Sequence, residues 1–328
     1  MRATTVVSEA DGGSVQTAEV IERKKTPKKK NPLGKRESIE GLLMVALPTI
    51  GFLAFMAFPI ILTFYISFFD LHSYDLSRMV WVGFANYKRL FTLDIFYTAC
   101  VNTLYFLLSV PINLVSQLFL ANLLQKQINK HFSKVVCLIL YVPTILGGVA
   151  VSLVWNWILE PNYGVFNTIL TAMGLPKVGF TTTREWFMPS VLLIKWWSAG
   201  LNIIIFQSAL ANVDNSLKEA ARIDGASEKT IFFRIVIPQI SPMIYYTLTT
   251  TFIAASQEMS TMQIISGNGV GPDNSAVTLS YLMYRMFYVN TITEGFGMSS
   301  ALGIILGLVI IIFYKVSEKI SKKWVSYD

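Results

Sequence analysis

Charge is scarce in this chain: of 328 residues only 14% are Asp, Glu, Lys or Arg, while 53% are hydrophobic. A water-soluble domain covers itself with charged side chains, so this balance excludes an ordinary soluble fold. Histidine and cysteine are scarcer still, with two of each. His72 and His131 stand far apart, which leaves neither an H-E-x-x-H helix nor a histidine cluster for a metal. Cys100 and Cys137 fall inside apolar runs, give no disulfide framework and read as core fillers. No G-x-x-x-x-G-K-S/T phosphate loop occurs, so the chain cannot hydrolyse ATP by itself. "GNGVGP" (Gly267 to Pro272) is glycine-rich but is followed by no lysine, and reads as a turn. No nucleophile can be paired with a base, so no catalytic, cofactor-binding or metal-binding residues are assigned.

What the chain has in abundance is long apolar runs. About 20 apolar residues cross a bilayer as a helix, and six segments qualify: 41 to 69, 96 to 123, 132 to 158, 189 to 211, 243 to 265 and 298 to 316. These predict an all-α polytopic membrane protein with about six transmembrane helices. The connections are short, so residues 41–320 read as one membrane domain, including a polar loop over 212–241. Residues 1–40, with "RKKTPKKK" (Arg23 to Lys30), bury too little apolar surface to fold and read as a disordered basic tail; 321–328 form a second tail. The following apolar run is span-length, unlike the short core of a cleavable signal. Of the 27 Lys and Arg residues, 20 lie on the side of the termini. The positive-inside rule places both termini in the cytoplasm, and the net charge of +7 reflects topology and attraction to the membrane surface rather than nucleic acid.

One charged stretch interrupts the oil: "EAARIDGASEKTIFFRIVIP" (Glu219 to Pro238). Ser216 and Glu219 have the spacing of a capping box that starts a helix. Leu217, Ala220, Ala221 and Asp224 share one face of it, flattened by the two alanines for close approach by another surface. Gly225 ends that helix. Ser227 caps a second one, with Ile231, Phe232, Ile235 and Val236 as its apolar stripe, until Pro238 and Pro242 mark a bend into the fifth span. The expected product is a helix–turn–helix hairpin.

The pattern Glu219-Ala220-Ala221, three residues, Gly225, nine residues, Ile235-Val236-Ile237-Pro238 resembles the cytoplasmic loop of ABC importer permeases, with Ile237 where leucine is usual. "VGFANYKRLF" (Val82 to Phe91), "VSLVWNWILEPNYGVFN" (Val151 to Asn167) and "ISGNGVGPDNSAVTLSYLMYRMFY" (Ile265 to Tyr288) look like the carbohydrate-uptake branch of these permeases. The resemblance covers roughly residues 40 to 320. It implies the type I importer permease fold and a bacterial plasma (inner) membrane location. Implied partners are a second permease subunit, two ATP-binding subunits that hold the ATP and Mg, and an extracellular or periplasmic solute-binding protein that delivers sugar. Glu219, Ala220, Ala221 and Gly225 carry over as the ATPase-coupling element, with Asp224 and Pro238 in the same loop.

Polar groups inside spans are costly and face a pathway or a neighbouring helix. The candidates are Asn102, Asn113 and Gln117 in the second span, Asn202 and Gln207 in the fourth, and Gln257, Glu258 and Thr261 in the fifth. Trp155, Trp157, Trp196, Trp197 and Tyr246 would supply aromatic platforms for sugar rings, or anchor span ends at the interface. Gln257, Glu258, Asn102, Asn202 and Trp155 are the residues expected along a substrate pathway, and Lys195 is read as a structural residue that snorkels to the outer surface. An ion-coupled secondary carrier and a permease for a non-sugar solute such as a polyol phosphate are the alternatives; a carrier, a channel or a membrane enzyme leaves the hairpin without a role.

Overall fold

The computed structural model describes residues 35–126, 130–198, 200–290 and 295–326. The basic cluster Arg23 to Lys30, and with it most of the expected N-terminal tail, lies outside the described residues. Helix α1 (Lys35–Phe52) is followed by a π-helical turn, Leu53–Ala57, and by α2 (Phe58–Ile66). A two-residue hairpin of β1 (Phe69–Asp70) and β2 (Val80–Trp81) pairs antiparallel with Phe69 opposite Trp81. Then come α3 (Ala85–Leu90), α4 (Asp94–Lys126), α5 (Lys130–Leu146), α6 (Gly148–Ile158), α7 (Val165–Ala172), α8 (Arg184–Trp197) and α9 (Gly200–Ala211). The chain continues through α10 (Asn215–Ile223), α11 (Glu228–Ile231), α12 (Ile237–Ser256), α13 (Ser260–Ile265), α14 (Leu279–Tyr288) and α15 (Gly295–Ser321).

Four helices among the described residues are long and apolar enough to cross a membrane: Ile39–Ile66, Asp94–Lys126, Glu228–Ser256 and Gly295–Ser321. Two bent pairs bring the number to as many as six, counting each pair as one span: His131–Leu146 with Gly148–Ile158 at 111°, and Arg184–Trp197 with Gly200–Ala211 at 46°. The six-span, all-α reading is therefore borne out. The third span is sharply broken rather than straight. Its break falls at Gly147, whose φ of 77° and ψ of 152° suit glycine and few other residues.

The described residues form two compact units that divide between Phe58 and Pro59. The first unit holds α1 and the π-helical turn, and its large apolar side chains, from Leu42 to Met56, are exposed. In the second unit α4 packs along α9, α12 and α14, and α14 packs on α15. Three apolar clusters form its interior. One, with Leu118, Phe206, Ile231 and Ile240, lies where the polar loop joins the bundle. Another, with Trp155, Phe187, Met262 and Tyr281, surrounds the broken spans, and the third, with Leu90, Val277 and Leu302, joins α3, α14 and α15.

Asparagines fasten the loops. Asn86 donates to the carbonyls of Ser67 and Phe69, both at 2.9 Å. Asn167, 1% exposed, donates to Pro161 and Val178 and accepts from the Val178 amide. Each satisfies backbone groups that a loop leaves unpaired in a low-dielectric setting.

Two expectations about the fifth span are corrected. Pro238 and Pro242 do not mark the entry to it: α11, a π-helical turn (Phe232–Val236) and α12 run on as the single span Glu228–Ser256, which begins ahead of both prolines. The widened turn brings the Ile237 amide to the Phe232 carbonyl just before Pro238, and the Ser241 hydroxyl donates to the Pro238 carbonyl at 2.6 Å, replacing the bond that Pro242 cannot make. At its other end the span stops at Ser256, so Gln257 and Glu258 are not inside a helix. They occupy a break before α13.

Candidate functional site

The polar loop folds as a hairpin of α10 and the start of the fifth span. The expected capping box is replaced by a different cap: Asp214, one residue before α10, accepts from the Ser216 amide at 2.8 Å. Ser216 thus lies inside the first turn, where its amide is the group needing a partner. That amide, helped by the Ser216 hydroxyl, holds the Asp214 carboxyl below its ordinary value of 3.8.

At the other end Gly225 has φ of +81°. The Ala226 amide reaches back to the Ala221 carbonyl at 2.9 Å and the Gly225 amide to Arg222 at 3.0 Å, the bond pair of a Schellman turn. Ser227 then caps α11 by accepting from the Thr230 amide. Across the turn Glu228 pairs with Arg222 at 2.9 Å and with Lys126, at the end of α4, at 3.5 Å. Between α4 and the hairpin lies a polar cavity of about 260 Å³, lined in part by Gln125, Lys218 and Glu219.

The faces of α10 are now assignable. Ala221 turns inward and packs against the chain's own apolar cluster. Glu219, Ala220, Asp224 and Leu217 are exposed, and Ile223 is 87% exposed. Phe233, one turn into the next helix, is also exposed. Leu217, Ile223 and Phe233 are thus three exposed apolar side chains within this one short hairpin. Sequence reasoning missed Ile223 because it lies outside the face marked by the alanines.

The second candidate region surrounds the break after α12. Glu258 forms an ion pair with Lys195 on the last turn of α8, and its other carboxylate oxygen accepts from the Thr261 amide at 2.9 Å at the start of α13. The side chains are 24% exposed for Lys195 and 17% for Glu258. Lys195 therefore does not snorkel outward; it is held by a carboxylate from another span. A lone cation and a lone anion in separate apolar runs were the signal that could have paired them. Thr261 is buried and its hydroxyl accepts from Ser152 of α6 at 3.1 Å, joining the broken third span to the broken fifth.

The remaining pathway candidates divide. Gln257 is exposed at the break. Asn202 donates to Gln117 at 3.1 Å and Thr251 at 3.4 Å, linking α9 to α4 and α12. Asn102 donates to the carbonyls of Asn274 and Val277, both at 2.9 Å, and so holds the loop before α14. Trp155 is 8% exposed, edge-on to Phe166 and Trp197 within the core. Among the other polar residues, Gln207 accepts from the Cys137 thiol, and the Trp196 indole donates to Ser116. A further group of rings lies apart from these: a cavity of about 320 Å³ is lined by Met259, Met283, Tyr284, Phe287, Tyr288, Ser299 and Ser300, with Thr63 and Gly303.

Comparison with known proteins adds to this geometry. Residues 118–326 match the family described as the binding-protein-dependent transport system inner membrane component. The chain is 30% identical over 306 residues to the probable ABC transporter permease protein YesP of Bacillus subtilis (strain 168), covering 92% of this chain and 96% of that one. It is 29% identical to the lactose transport system permease protein LacF of Rhizobium radiobacter, with 79% and 87% of the two chains covered. Among solved structures it superposes on a chain of a bacterial alginate ABC transporter in complex with an alginate pentasaccharide-bound periplasmic protein, with a TM-score of 0.75, 27% identity, and coverage of 88% of this chain and 96% of that one.

Proposed function

Since the chain belongs to the inner membrane components of binding-protein-dependent transport systems and has the type I importer permease fold, we propose that it is the multi-pass membrane subunit of an ATP-driven importer of sugars or oligosaccharides. The relatives named for lactose and for alginate support this cargo class. The chain is a transporter subunit rather than an enzyme, and ATP hydrolysis belongs to partner subunits. We place it in the inner membrane with both termini in the cytoplasm, the side that holds most of its Lys and Arg. Its partners in this reading are a second permease subunit, the ATP-binding subunits with their ATP and Mg, and a solute-binding protein.

One observation carries the mechanism: the exposed hairpin and the polar break lie on the same span. Helix α10 presents Leu217, Ala220, Ile223 and Asp224 to the ATP-binding subunit, with Glu219 beside them. Gly225 and Ser227 fix the angle at which α10 meets the next helix. From Glu228 that helix continues for 29 residues to Ser256, passing Pro238 without a break. A push on α10 therefore arrives at Gln257 and Glu258 without loss in a loop. The Glu228 pairs with Arg222 and Lys126 carry part of the same movement to α4. At the break, the exposed Gln257 offers its amide to cargo beside the Lys195–Glu258 pair, and Asn202 holds three helices around the pathway.

The test is co-purification of tagged protein in mild detergent, comparing the native chain with Gly225→Trp. No atom lies within 4 Å of where a Cβ would stand at Gly225, so the variant acts through its left-handed backbone, a strain of about 1 kcal/mol or more. Recovery of a cytoplasmic ATPase and a second permease with the native chain, and loss of the ATPase with the inserted variant, is the expected result. Native protein that purifies intact and alone would favour an ion-coupled carrier.

A further inference from the structure

The cavity walled by Tyr284, Phe287 and Tyr288 of α14 and by Ser299 and Ser300 of α15 has no role in the coupling mechanism. Met259, the residue after Glu258, is in its wall. Its lining combines three aromatic rings with hydroxyl groups, and no charged residue lines it among the described residues. Tyr284 and Tyr288 are tilted toward one another, with ring centroids 4.9 Å apart, and Tyr288 is 62% exposed. The Tyr284 hydroxyl already accepts from Gln263 at 3.1 Å, which fixes that ring and leaves its own proton to donate. Ser299 donates to the Met283 carbonyl at 2.9 Å, leaving its oxygen as an acceptor. Aromatic faces with scattered donors and acceptors suit a sugar ring, which has apolar faces and a polar rim.

The electrostatics select among sugars. Lys195 is committed to Glu258, and the other Glu258 oxygen to the Thr261 amide. Arg285, on the same helix, is not part of the wall and donates to the Asn268 carbonyl at 3.0 Å. A carboxylate-bearing sugar would find, among the described residues, no charged side chain in the wall of this cavity to pair with, and would leave its charge desolvated there. We propose that the cavity is a subsite for an uncharged sugar unit, with Tyr288 as its stacking platform. This inference rests on the import reading above and names the cargo class of that pathway.

The experiment uses the complete importer in cells, with cells lacking this chain as the control. Neutral trisaccharides (maltotriose, arabinotriose, xylotriose) and uronate trisaccharides (trigalacturonate, trimannuronate) are offered as labelled probes. The expected result is uptake of a neutral probe that depends on this chain, with uronates at least tenfold slower. Tyr288→Ala should lower that uptake about tenfold and Tyr288→Trp, which keeps a platform, should restore most of it. Ser300→Asp, which adds a carboxylate to the wall, gives a second reading if Tyr288→Ala fails to insert, and should also lower uptake. Chain-dependent uptake that prefers uronates overturns the cargo class while sugar import stands. Native uptake by inserted Tyr288→Ala or Ser300→Asp also overturns the subsite, pointing to lipid or a neighbouring subunit as the occupant. Chain-dependent uptake of no sugar overturns the import reading and this inference together.

Discussion

At Gly225 one backbone angle sets the geometry of the hairpin. Asparagine tolerates the left-handed region better than other side chains, so Gly225→Asn should keep most transport, whereas Gly225→Val should cost about 1 kcal/mol or more in hairpin stability and lose it. Uptake per inserted molecule checks the difference. The Lys195–Glu258 pair gives a second prediction. Lys195→Met leaves a carboxylate unpaired in a low-dielectric setting and should destabilise the protein by about 3 kcal/mol. The reversed pair Lys195→Glu with Glu258→Lys should regain more than half of that, as read by thermal unfolding in detergent. Glu258 was visible in the sequence as an expensive residue, but its partner is 63 residues away, and no local pattern joins the two. For the same reason Asn102 and Trp155 stand out in the sequence as unusual, yet only the packed structure shows one fastening a loop and the other filling a core.

Among the elements, α10 depends on the Asp214 cap. Its carboxyl is held below the ordinary 3.8 by the Ser216 amide, so its contribution is present above that value and is lost as pH falls through the lowered one. Amide exchange in the first turn of α10 should speed up at that low pH and in Asp214→Ala at neutral pH, with Asp214→Asn close to native. A close approach gives another prediction. A Cβ on Gly200 would meet the Leu140 carbonyl oxygen at 1.9 Å. Gly200→Val should therefore force α9 from α5 and cost about 3 kcal/mol, measurable as a lowered unfolding temperature. Apolar length made the six spans legible. Their breaks were less so: Gly147 stands in "LGG", a visible signal, whereas "SQEM" at Ser256 to Met259 has neither glycine nor proline. There Glu258 is held by the Thr261 amide three residues on and by Lys195 63 residues away, and the second partner lies in no local window of sequence.

For the whole molecule the proposed mechanism joins a capped helix, one continuous span and a polar break past which cargo would move. Its family-like segments serve that assembly in different ways. The hairpin motif predicts a working part, while the asparagines of "VGFANYKRLF" and "VSLVWNWILEPNYGVFN" fasten loops that keep the bundle in register. The most direct test places the purified importer, with its binding protein and a cargo from the neutral trisaccharide panel, in proteoliposomes whose ion gradients are collapsed by ionophores. Accumulation of cargo against its gradient on addition of ATP, abolished by Gly225→Trp, is the predicted result. Accumulation driven by an imposed ion gradient without ATP, and unaffected by Gly225→Trp, would contradict the account.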